Sequence, residues 1–117
     1  MEEAASEGAQ LVAFPELAFD RFFPQYPDFP SLSDLAEWVP GPITAASCQK
    51  ARELNVVVVL NLLEKQGDKN YDCSPVIDAD GKIVGKSRMN HVQEGPCYHE
   101  KHYYSLGNLG IGCLTQR

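Results

Sequence analysis

The chain has 117 residues, of which 44% are hydrophobic and 22% charged, a makeup that sets one folded domain as the ceiling and excludes a disordered chain or a membrane protein. Its net charge of −6 comes from 16 acidic and 10 basic residues interspersed along the sequence, so nothing favours a nucleic-acid backbone or an anionic membrane as partner. The first residues lack the basic region and apolar run of a secretory signal, and no apolar stretch approaches the length of a membrane span, so a cytoplasmic location is expected.

Residues 2–7 are good helix formers closed by Gly8, but fewer than two turns fit before that stop, and the chain reads as beginning inside an element. Leu11, Val12, Ala13 and Phe14 form a short apolar run ended by Pro15, which predicts a buried strand handing over to a loop that carries Glu16. Between residues 22 and 30, Pro24, Pro27 and Pro30 alternate with Phe23, Tyr26 and Phe29. Such spacing cannot sustain a ladder of backbone hydrogen bonds and reads as a rigid apolar loop that packs at a pocket rim. Ser31 is placed to cap a short helix through Trp38, and Pro42 to open a second helix ending at Leu54 with Ile43, Ala46, Ala51 and Leu54 on its apolar face.

Residues 56–60, four valines and Leu60, show no polar alternation and predict a central strand covered on both faces. Residues 71–77 and 82–87 flank Asp78-Ala79-Asp80-Gly81, whose Asp-Gly pair suits the tight turn of an antiparallel hairpin. From Arg88 to Tyr104 the sequence is loop-like and aromatic, and after Gly107-Asn108-Leu109-Gly110 it reads as unfinished. Four widely spaced cysteines, Cys48, Cys73, Cys97 and Cys113, in a chain without an export signal are expected to be reduced thiols.

Three tempting motifs fail on spacing. The run from Gly81 to Ser87 has one residue too few between its glycines for a phosphate-binding loop and falls in a strand. The Asp78–Gly81 run lacks the calcium loop's preceding aspartate position, where Val76 stands, and its final glutamate. His91, Cys97, His99 and His102 are the one group of metal-capable side chains, but their spacing matches no zinc signature. No metal or other cofactor is therefore expected, and metal binding stays as a third reading.

Three ordered segments carry a resemblance. The segment from Gly8 to Phe19, containing Phe14-Pro15-Glu16-Leu17, resembles the strand end at which enzymes of the nitrilase superfamily, the carbon–nitrogen hydrolases, carry their general-base glutamate. The segment from Asp80 to Arg88, followed by Asn90-His91-Val92, is similar to the hairpin leading to that family's lysine. Gly95-Pro96, Glu100-Lys101-His102-Tyr103-Tyr104 and Gly107–Gly110 then follow in the order of its N-carbamoyl amino-acid hydrolase and N-carbamoylputrescine amidase branch.

The resemblance spans residues 1–110 as a partial hydrolase domain, with residues 111–117 as a divergent tail. It implies an α/β fold, an incomplete αββα sandwich with a mixed sheet and flanking helices, whose uncovered edge invites homo-oligomerisation. It implies hydrolysis of small linear amides or N-carbamoyl compounds. A cysteine thiolate attacks the carbonyl, a glutamate takes its proton and a lysine stabilises the oxyanion.

By this match Glu16 is the general base, Glu100 the second, supporting glutamate, and His91 a structural neighbour of the lysine position. That position holds Met89, and losing one oxyanion donor costs about two to three orders of magnitude in rate. Met89 is therefore either a defect or the mark of a subgroup with another oxyanion arrangement. Arg88 should face the opposite side of its strand, and Lys86 is also out of phase. The cysteine-bearing strands should follow Gly110; Ile111-Gly112-Cys113-Leu114 imitates their ending too early and without the aromatic-acid pair. Cys113 is thus a weak nucleophile candidate, and Cys48 and Cys73 read as small hydrophobes. The expected function is an incomplete hydrolase, inactive as this chain, with an interaction module using the exposed sheet edge as the alternative.

Overall fold

The computed structural model describes residues 1–114; the last part of the expected tail, residues 115–117, lies outside the described residues. A five-stranded mixed sheet forms the centre. β1 (Leu11–Ala13) runs parallel to β2 (Val57–Val59), which pairs antiparallel with the end of β4 (Lys69–Ile77). β3 (Leu62–Gln66) continues beyond β2 along the same side of β4, and β5 (Ile83–Arg88) pairs with the other side. The valine run is interior, as its lack of alternation requires, and Val56 and Val58 are almost fully buried.

One face of the sheet is covered by α3 (Pro42–Leu54), whose bounds coincide with the sequence reading. Pro42 occupies the first turn, where a missing N–H costs nothing, and Asn55 ends the helix in a left-handed conformation with φ 52°. Ala51 packs with Val56, Val58, Leu60 and Ile77, and Ile43, Cys48 and Leu54 border that cluster. The Asp78–Gly81 turn lies against the same helix. Gly81 has φ +83°, and an added Cβ would stand 2.7 Å from the Cys48 carbonyl oxygen, so glycine is required for conformation and for close approach alike.

The other face carries a second cluster of Leu17, Phe23, Leu63, Val92, Tyr103 and Tyr104. The proline-rich loop does pack here: Phe23 is fully buried, with its ring centroid 5.1 Å from that of Tyr103, and the Tyr103 hydroxyl donates to the Tyr26 carbonyl at 2.6 Å. Its backbone makes only a single 3-10 turn, Phe23–Gln25.

Two readings need correction, and β1 is the first: it forms, but at the sheet edge with Leu11 and Ala13 exposed rather than as the buried strand expected. The helix after Ser31, α2, covers only Leu32–Leu35, and Ser31 makes no side-chain cap. It stops because Glu37 is drawn alongside β3, donating its N–H to the Leu63 carbonyl at 3.1 Å and accepting from Lys65 at 2.8 Å. The Glu37 carboxylate in turn accepts the Ile43 N–H at 3.0 Å and caps α3, where a negative charge is favoured. β3, which no sequence reading marked, forms a tight hairpin with β4 around Gly67, φ +62°. At the N-terminus α1 (Glu2–Ser6) forms as read, with Gly8 beyond its end at φ +89°. Among the described residues no helix is long and apolar enough to cross a membrane.

Candidate active site

Glu16 follows directly from the end of β1. Phe14 makes a final strand-like bond to the Val59 carbonyl at 2.9 Å, Pro15 ends the pairing, and the chain turns at Leu17, a buried residue held at φ 48°. A non-glycine residue in that region is strained unless its surroundings fix it. Asn61 does so, accepting the Leu17 N–H on Oδ1 at 2.8 Å. Asn61 stands where the sheet passes from β2 to β3, and its amide also donates to Asp72 at 2.7 Å and to Ser74 at 3.2 Å. One side chain thus ties the loop bearing Glu16 to the middle of β4.

Asp72 is buried opposite Leu63 in the sheet register. Its second oxygen accepts no hydrogen bond from any described N–H or O–H group, and the buried Tyr104 hydroxyl is also unpartnered among the described residues. Glu100 is buried on the neighbouring loop at the start of the 3-10 turn Glu100–His102 and accepts the Gln93 N–H at 2.7 Å.

These carboxyls feel one another. Desolvation first, and then the Asp72 and Glu100 charges, push the Glu16 carboxyl up to about 7. Burial, reinforced by the Glu100 charge, raises Asp72 above the usual carboxylate range, although the hydrogen bond from Asn61 opposes the rise. Burial first, and then the charges of Asp72, Glu16 and Glu100, raise the Tyr104 phenol. Burial and mutual repulsion thus raise Glu16 and Asp72 together, and a carboxyl poised near neutrality can take a proton from a thiol and return it to a departing amine.

Met89 sits on this face, half-buried against the Tyr104 cluster, with its N–H on the Asp72 carbonyl at 3.0 Å. No lysine or arginine is hydrogen-bonded or ion-paired to the three carboxyls among the described residues. Arg88 and Lys86 are engaged elsewhere, as the strand alternation requires. The Arg88 Nε donates to Glu64 at 2.7 Å, its guanidinium carbon lies 3.9 Å from the Tyr71 ring centroid, and Lys86 closes on the same carboxylate. Burial opposes the Glu64 charge, but the bonds from Arg88 and Lys86 outweigh it and hold the carboxyl below its ordinary range.

Beside Met89 lies a cleft of about 440 Å³ lined by Asp72, Ser74, Ser87, His91 and residues 110–112. Cys113 follows that lining but is exposed and has no hydrogen bond to Glu16 among the described residues. All four cysteines are free. Cys73 is buried against Glu64 on the face away from the carboxyls, and burial raises its thiol far above the usual range. Of the metal-capable residues, His99 and His102 come together with Glu94, while His91 and Cys97 stand outside that group. Asp72, Asn61 and Tyr104 had no sequence signal; they become visible once the β3–β4 register sets Asp72 beside the loop of Glu16.

Comparison with known proteins gives the family. The family model for carbon–nitrogen hydrolases matches residues 1–115. The chain is 30% identical over 111 residues to the N-carbamoylputrescine amidase of Oryza sativa subsp. japonica, covering 95% of this chain and 37% of that protein. It is 33% identical over 110 residues to the citrullinase of Francisella tularensis, covering 93% of this chain and 38% of that protein. The crystal structure of a carbon–nitrogen hydrolase from Helicobacter pylori G27 superposes with a TM-score of 0.86 at 29% identity, over 93% of this chain and 38% of that one. The chain therefore spans somewhat more than a third of the length of these relatives, and over that span it belongs to the carbon–nitrogen hydrolase family.

Proposed function

We propose that this chain supplies the base-bearing part of a hydrolase that cleaves a non-peptide C–N bond in a small linear amide or N-carbamoyl compound, in a cytoplasmic setting. The observation that carries the reading is the convergence of Glu16, at the carboxyl end of β1, with the buried Asp72 and Glu100. In this reading Glu16 takes the proton of a cysteine thiol and the thiolate adds to the substrate carbonyl carbon. The tetrahedral adduct collapses as the C–N bond breaks, and the amine leaves with the proton returned by Glu16. Water then hydrolyses the thioester with Glu16 again as base. Glu100 orients these groups from its hydrogen bond with Gln93. This chemistry calls for no cofactor.

As this chain alone the site is silent in our reading. Among the described residues no thiol is hydrogen-bonded to Glu16, and Met89 offers no donor to an oxyanion. The test is a chimera in which residues 1–110 replace the matching part of the Helicobacter pylori enzyme, assayed for ammonia release from linear amides and N-carbamoyl amines. Turnover abolished by Glu16→Gln is expected; turnover that survives this substitution refutes the assignment of the base.

Self-association is the second reading, favoured by β1, which pairs on one side only among the described strands and leaves Leu11 51% exposed. A concentration-independent monomer in sedimentation equilibrium would remove it.

A further inference from the structure

We propose that Glu94, His99 and His102 form a binding site for a divalent transition-metal ion of the zinc class, on the outer surface of the loop that carries Glu100. The Glu94 Oε1 lies 3.0 Å from His99 Nδ1 and 3.8 Å from His102 Nε2, and the three ligand atoms all fall within 4.8 Å of one another. A tetrahedral ion with bonds of about 2.0–2.1 Å separates its ligand atoms by about 3.3 Å, so the observed separations bracket the required edge. Two imidazoles and one carboxylate select a borderline ion such as Zn²⁺ over Mg²⁺ or Ca²⁺, which prefer oxygen.

The proton positions fit this role. His102 Nδ1 lies 2.7 Å from the Pro27 carbonyl oxygen, which can only accept, so Nδ1 carries the hydrogen and Nε2 turns its lone pair toward Glu94 and His99. A metal-binding histidine is commonly oriented by such a bond from its other ring nitrogen to a backbone carbonyl. At His99, Nδ1 donates to Glu94 without metal; an ion arriving there displaces this proton, and the tautomer moves to Nε2.

The backbone sets the spacing before any ion arrives. Reciprocal bonds between Gly95 and Tyr98, at 2.8 and 2.9 Å, close the turn between Glu94 and His99, and His102 N–H donates to the His99 carbonyl at 3.0 Å across the 3-10 turn. All three side chains reach solvent, with exposures of 36%, 24% and 47% for Glu94, His99 and His102, so an ion enters freely and keeps water in its open position. Cys97, at the tip of the turn with φ 63°, takes no part.

Glu94 directly follows Gln93, whose N–H holds Glu100, and His99 directly precedes Glu100, so a bound ion clamps both ends of the segment that fixes this buried carboxylate. That consequence rests on the role proposed for Glu100; the binding itself does not.

The test titrates ZnCl2 into the chelator-treated chain by calorimetry and records the visible spectrum with CoCl2. We expect one ion per chain, affinity reduced at least tenfold in His99→Asn and in His102→Gln, unchanged affinity in His91→Gln, and a cobalt spectrum without a thiolate charge-transfer band. Circular dichroism of each variant separates lost ligation from lost folding, and Glu94→Gln provides an exposed substitution that weakens binding without touching a ring contact. Undetectable binding at millimolar zinc, equal affinity in the folded variants, or a thiolate band from Cys97 overturns the site.

Discussion

The Asn61 side chain donates to the buried Asp72 carboxylate at 2.7 Å while its own oxygen accepts the Leu17 N–H at 2.8 Å. These two bonds join three stretches distant in sequence and leave the Glu16 loop only one position relative to β4. Replacing Asn61 by Leu strands a buried carboxylate oxygen and a buried N–H, each costing about 1–3 kcal/mol. Chemical denaturation of Asn61→Leu should therefore show a loss of about 2–6 kcal/mol. A loss within ±0.5 kcal/mol, as expected of an ordinary surface change, would mean that the loop is held by other contacts.

The raised Glu16 carboxyl makes a signed prediction about pH. Its folded pKa of about 7 lies above the ordinary value of 4.5, so the folded chain binds the proton more tightly than the unfolded one. The contribution is fully present below about pH 4.5 and is lost as pH rises through 7. Wild-type stability relative to Glu16→Gln should decline between pH 5 and 8 in urea titrations. A flat or rising difference contradicts the burial and charge argument.

The opposite sign holds at Glu64, whose folded pKa is lowered by Arg88 and Lys86 against the effect of burial. Its contribution is present above the unfolded value and fades as the pH falls into the acid range. Removing Arg88 takes away the buried partner of Glu64 and leaves only the partly exposed Lys86 on that carboxylate, so Arg88→Met should cost up to about 3–5 kcal/mol, and pairing it with Glu64→Leu should recover much of that loss. Equal stability of the single and double variants would show that Glu64 is satisfied without Arg88.

Much of the scaffold was legible in the residues. The valine strand, the Asp-Gly turn and the helix opened by Pro42 each carry a local signal strong enough to survive packing, whereas the Leu11–Phe14 run forms its strand but not the burial expected of it. β3 carries no such signal, because Glu64, Lys65 and Gln66 are polar and Glu64 is satisfied in the sheet only by Arg88 and Lys86, which are distant in sequence. The site was half legible for a related reason. Glu16 and Glu100 stand in recognisable segments, whereas Asp72 and Asn61 owe their roles to strand register, a long-range property that neighbouring residues do not encode.

Met89 provides the fourth prediction. A lysine placed there would set an ammonium on the face that holds Asp72 and Tyr104, supplying the opposite charge that Glu16 lacks. In the chimera with the Helicobacter pylori enzyme, Met89→Lys should raise kcat by about two to three orders of magnitude, the worth of one oxyanion donor. An unchanged kcat would mark a different oxyanion arrangement built around methionine.

The most direct test is a carbon-13 NMR titration of the Glu16 carboxyl in the chain itself, alongside Asp72→Asn. A midpoint near 7 is expected for the native chain and a clear fall toward the ordinary 4.5 in the variant, since the charge of Asp72 is removed. A native midpoint near 4.5, unmoved by Asp72→Asn, would contradict the carboxyl cluster on which the proposed base depends.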